Sequence, residues 1–95
     1  MIKHIVLFKL KDAAPASIER TVQVLRGLEG KVEQLRSLEV GTDVIRSPRS
    51  YDIALIATFD SLEDLEGYQV HPEHKKVIEH MTEVRDTQVA VDFEF

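Results

Sequence analysis

The 95-residue chain predicts one α+β domain. The fold expected is a ferredoxin-like βαββαβ arrangement: a four-stranded antiparallel sheet with two helices on one face, paired with a second copy as a dimeric α/β barrel. Three observations predict it. Side chains alternate in the segments that open and close the chain and again across YDIALIATF. Two intervening stretches change to helical spacing. The strands are apolar on both faces, although two helices can cover only one.

The first strand runs from Ile2 to Leu10, with Ile2, His4, Val6, Phe8 and Leu10 on one face and Lys3, Ile5, Leu7 and Lys9 on the other. A helix begins near Pro15, its apolar stripe formed by Ile18, Val22, Leu25 and Leu28. Gly27 and Gly30 loosen its end, and Val32 and Leu35 suggest a further short helical turn. Leu38 to Ile45 forms a second strand, joined through the turn chemistry of RSPRS to a third at YDIALIATF, so that the two make a hairpin. Ser61 with Asp64 three residues on marks a helix start, and Leu62, Leu65 and Tyr68 follow at helical spacing. Pro72 breaks that helix and opens the next, whose stripe is Val77, Ile78 and Met81. TQVAVDFEF closes the sheet, with Val89, Val91, Phe93 and Phe95 alternating against Gln88, Ala90, Asp92 and Glu94. Residues 1–95 form a single domain without linker, repeat or low-complexity tract.

A domain this small buries only about 60–65% of the surface its unfolded chain exposes, so burial through self-association adds a margin it needs. Covering the second sheet face with a twin predicts a two-fold homodimer. The net charge of −5, with no basic run longer than Lys75-Lys76, argues against a nucleic-acid surface. The absence of cysteine removes disulfides and thiolate metal sites and fits a reducing compartment. IVLF, four residues hemmed by Lys3 and Lys9, is too short for a signal-peptide core or a membrane span. A cytoplasmic protein is expected, with neither a nucleic-acid nor a membrane partner.

YQVHPEHKKV places Tyr68, His71 and His74 around Pro72. His74 precedes Val77, Ile78 and Met81 by three, four and seven residues, so it shares the buried stripe. In the first helical turn the positive end of the helix dipole keeps its imidazole neutral, as a general base near pH 7 requires. His4 and Tyr68 point into the same layer. A pocket lined by Val6, Phe8, Val22, Leu25, Ile53 and Leu55 with these three polar groups has the composition of a small-molecule site. The same residues also suit a hydrogen-bonded core. His71 reads as a cap before Pro72, His80 as solvated, and Arg46 and Arg49 as turn residues able to meet an anion. HPEH with His4 could share a metal ion, but HExxH spacing and a carboxylate on the same face are both missing, so no metal is expected. Phosphate loops, serine elbows and paired cysteines are absent.

MIKHIVLFKLK, LEVGTDV, YDIALIATFDSLEDLEGYQVHPEHKKV and the VDFEF ending resemble the stress-responsive A/B barrel (Dabb) family, a branch of the dimeric α+β barrel superfamily. The likeness covers nearly the whole chain and is carried most specifically by the KH of the first strand and the TFxSxxxLxxYxxHPxH pattern. It implies the dimer and, for plant members, a role in stress tolerance. A plant polyketide cyclase of the family implies an acid–base pair at Tyr68 and His74, with a pocket histidine at His4. Its strand-three histidine falls on Ile53, which offers no polar contact.

The expected function is therefore a homodimer with a small-molecule pocket between sheet and helices. It would perform cofactor-independent acid–base chemistry, of aldol, cyclase or isomerase type, on a carbonyl metabolite. His74, Tyr68 and His4 would be catalytic, and the pocket residues above, with His71, would bind substrate. A non-catalytic, stress-responsive or ligand-binding dimer is the alternative. A cofactor-free monooxygenase, as found in other branches of the superfamily, is a third.

Overall fold

The first strand, β1 (Ile2–Leu10), occupies a central place in the sheet, with both of its edges paired and one of its faces buried. A computed structural model describes all 95 residues. After β1 come α1 (Pro15–Arg26), β2 (Ser37–Thr42), β3 (Ile53–Phe59), α2 (Leu62–Gln69), α3 (Pro72–Val84) and β4 (Arg85–Glu94). The sheet order is β2-β3-β1-β4, antiparallel throughout. This is the ferredoxin-like fold, with its second helix broken in two before Pro72.

Each helix start has a local cause. Pro15 stands in the first turn of α1, where a missing N–H costs nothing, and Asp12 accepts from the Ala14 N–H at 3.0 Å and the Ser17 hydroxyl at 2.8 Å. These two bonds hold the exposed Asp12 carboxyl below its ordinary range. Ser61 caps α2 by accepting from the Asp64 N–H at 3.2 Å. His71 caps α3: its Nδ1 accepts from the Glu73 N–H at 3.1 Å, and Pro72 follows.

The core lies between the sheet and the helices. Ile2, Val6, Phe8 and Leu10 from β1 meet Ile53, Leu55, Ala57 and Phe59 from β3, with Val22, Leu25, Leu65, Tyr68, Val77 and Met81 above them. Burying each large apolar side chain stabilises the fold by roughly 1.5–3 kcal/mol. Helical cover stops short of β4, which is exposed along its length. That gap shapes the site.

The opposite sheet face carries apolar rows and no helix. Ile56, Ile5 and Val91 lie side by side across β3, β1 and β4, and Ala54, Leu7 and Val89 form the next row. Val91 is 54% exposed and Phe93 41%. Lys3 and Lys9 border this patch, their ammonium groups over the rings of Phe95 and Tyr51 at 4.6 and 5.2 Å.

Three local expectations change. The second strand ends at Thr42, and Val44 and Ile45 stand exposed in the hairpin loop. Arg46, with φ 56°, is pinned there: its guanidinium meets the buried Asp52 at 2.9 Å, and its N–H donates to Asp43 at 2.6 Å. These bonds fold the chain back before the strand can continue. Val32 and Leu35 lie in turns closed by bonds three residues apart, without a helix. His80 is not solvated; its Nε2 shares a hydrogen bond of 3.1 Å with Oγ1 of buried Thr21, tying α3 to α1.

Candidate functional site

A cavity of about 450 Å³ opens between α3 and the β1–β4 half of the sheet, floored by the part of β4 that the helices leave bare. His4, Tyr68 and His74 all line it, together with Val6, Phe8, Leu25 and Leu55. Three residues expected in the pocket do not. Val22, on α1, and Ile53, at the start of β3, are packed into the core at 1% and 2% exposure, outside the cavity lining. His71 turns outward, with Nδ1 committed to its cap and Nε2 3.5 Å from the Glu33 carboxylate.

The polar groups are held by distinct means. His74 sits in the first turn of α3, and its Nδ1–H donates to the Gln69 carbonyl at 3.2 Å. Gln69 ends α2, where a helix leaves carbonyls unpaired, so the break at Pro72 supplies the acceptor. That bond selects the neutral tautomer with a free Nε2. Burial lowers the His74 pKa, opposed by the Gln69 bond and assisted by the neighbouring His4 and His71. Desolvation, and not the helix terminus expected from the sequence, is the leading cause of its neutrality.

Tyr68 is 1% exposed and is clamped between the Phe59 ring, 4.9 Å away, and the His74 ring, 4.2 Å away at 37°. His4 approaches its edge at 6.1 Å. Tyrosine and histidine thus meet by ring packing, and the phenol has no hydrogen-bond partner within the chain; it belongs to the cavity wall. Burial raises its pKa far above the ordinary tyrosine value, which keeps the hydroxyl a donor.

The sequence pattern does not single out the fourth polar group. Asp92, opposite His4 on β4, hydrogen-bonds His4 Nδ1. The carboxylate accepts from Nδ1–H, which fixes the orientation of the His4 ring in the cavity wall. Alternation places Asp92 on the polar side of the last strand, but only strand register brings it beside His4. His4, His71 and His74 therefore turn to three different partners, and no trio of His, Asp or Glu side chains converges on a metal-sized site.

A ferredoxin-like sheet with one uncovered apolar face and a cavity between its helices and its other face defines the chain as a ferredoxin-like α+β domain. Residues 2–95 match the Stress Responsive A/B Barrel Domain family, and the chain belongs to it. An uncharacterized protein of Streptomyces coelicolor is 35% identical over the whole of both chains. A stress-response A/B barrel domain-containing protein of Arabidopsis thaliana is 31% identical over 98% of this chain, which spans 36% of that protein. A dimeric ferredoxin-like protein of unknown function from Bacteroides fragilis superposes with a TM-score of 0.83 at 34% identity, covering 99% of this chain and 95% of that one. A hydroxynitrile lyase from Passiflora edulis (TM-score 0.82, 18% identity, 97% and 90% coverage) shares the fold. So does an antibiotic biosynthesis monooxygenase (TM-score 0.77, 14% identity, 100% and 98% coverage). No helix is long and apolar enough to cross a membrane.

Proposed function

We propose that the cavity binds a small, mainly apolar carbonyl compound and that His74 removes a proton from the carbon beside the carbonyl. Nε2 of His74 is the base, and the Tyr68 hydroxyl donates to the oxygen on which enolate charge develops. His4, held by Asp92, positions the substrate. The resulting carbanion equivalent can add to a second carbonyl or be reprotonated elsewhere, which is aldol, cyclase or isomerase chemistry. These steps use only groups of the chain. The observation that carries the proposal is the coexistence, in one apolar cavity, of a neutral imidazole with a free nitrogen and a neutral phenol with an unused donor. The apolar rows on the other sheet face support a second copy as the partner there, and the Bacteroides relative is described as dimeric. The cysteine-free composition supports a cytoplasmic setting.

The ring-packed contact between Tyr68 and His74 favours a second reading, a ligand-binding dimer without turnover, because no hydrogen bond couples acid to base. Solvent-deuterium exchange at the α-carbon of methyl ketones, followed by proton NMR, separates the two. Catalysed exchange that falls about a hundred-fold or more in His74→Ala, with the dimer still folded, is expected of the enzyme. Exchange at the buffer rate with bound ketone would establish the binding module instead.

A further inference from the structure

The cavity has a second polar end that proton transfer leaves unused. Along α3 its wall is made by His74, Val77, Ile78, Met81 and Thr82, and then by Arg85, where the helix passes into β4. Steps of three and four keep these residues on one stripe. At 1.5 Å per residue, Arg85 lies about 16 Å from His74 along it. The wall between them is largely apolar.

Arg85 is the one permanent cation in the lining. It takes part in none of the ion pairs of the chain, and the only lining carboxylate, Asp92, is engaged by His4 at the other end. The Arg85 backbone N–H donates to the Met81 carbonyl, which fixes its Cα while the exposed guanidinium stays free. Gln88, on the cavity side of β4, adds an amide nearby. In a chain with net charge −5, a small organic anion is attracted only where a local cation outweighs the general field.

We propose that Arg85 is a specificity-determining residue that holds a carboxylate at the far end of an elongated ligand. The inference rests on the carbonyl-binding function proposed above and narrows its substrate class to oxo-acids whose ketone and carboxylate are separated by an apolar spacer. The planar guanidinium fork matches a carboxylate in two parallel hydrogen bonds. Part of the distance to His74 is taken up by the two side chains. The spacer must bridge the rest, so oxo-acids with adjacent groups are too short to reach both ends.

Calorimetric titration of the full chain with methyl-ketone acids, from levulinate to longer homologues, each beside its methyl ester, tests this. Wild-type protein is expected to bind the longer acids about ten-fold or more tighter than their esters. Arg85→Gln removes that preference while ester affinity stays within about two-fold, and Arg85→Lys retains only part of it because an ammonium is a point charge. Thermal unfolding of both variants should match wild type, since the Arg85 side chain bonds to nothing in the chain. Equal binding of acids and esters by wild type, or an Arg85→Gln variant that weakens both alike, would overturn the role of Arg85 and leave the carbonyl pocket standing. Failure of the wild type to bind any of them would overturn both.

Discussion

Tyr68→Phe distinguishes a hydroxyl placed for a ligand from one placed for the fold. The ring is 1% exposed and packed by Phe59 and His74, and phenylalanine keeps that shape. Only the oxygen is lost. A hydroxyl with a structural hydrogen bond would leave a deficit of roughly 0.5–1.5 kcal/mol on removal, because a net bond disappears and its partner is stranded. Here the hydroxyl has no internal partner, so nothing is stranded, and a partly desolvated polar group is removed. Stability should therefore stay level or rise by up to about 1 kcal/mol, which for a domain of this size is a gain of at most roughly 4–8 °C. Urea unfolding at fixed protomer concentration, with an unchanged m-value, reads the difference directly. α-Proton exchange should fall at the same time, since the enolate loses its donor. A loss of more than about 1 kcal/mol would show that the hydroxyl supports the fold and refute the reasoning.

Burial holds the His74 pKa below the ordinary 6.5, so the unfolded chain takes up a proton near that pH that the folded chain still refuses. Stability is indifferent to His74 above this point and falls as pH drops from 6.5 toward the folded value. His74→Gln should flatten that part of the pH–stability curve; coincident slopes would contradict the burial. Leu25→Ala, at a fully buried position whose side chain also touches the cavity, should cost about 2–5 kcal/mol in urea unfolding. Val91→Lys puts a charge among the apolar rows of the uncovered sheet face, on its β4 edge, and should shift sedimentation toward single chains without loss of secondary structure. Unaltered association would place the contact elsewhere.

The fold was legible because its signals are local and repeated. Ile2 to Leu10 alternates without interruption, Ser61 and Pro72 mark helix starts through their own chemistry, and two helices cannot cover both faces of such strands. The place of the cavity-lining histidines was legible within single elements: His74 follows from the stripe of α3, and His4 from the buried side of β1. What failed depended on register between distant strands. Asp92 meets His4 only because β4 pairs with β1 as it does, and Ile53 is buried in the core while Leu55, two residues on along the same strand, reaches the cavity. Val44 and Ile45 read as strand by composition, yet the Arg46–Asp52 bond turns the chain before them into a loop. His80 looks solvated in the sequence because spacing cannot reveal that Thr21 waits on another helix.

The claim on which the functional account depends is that a neutral, half-buried His74 takes the proton. The pH dependence of α-deuterium exchange tests it most directly, with His74→Ala as the reference. The wild-type rate should rise through a single midpoint below pH 6.5 and then stay flat while Tyr68 remains protonated, a profile His74→Ala lacks. A midpoint at or above 6.5, or the same profile without the imidazole, would contradict it.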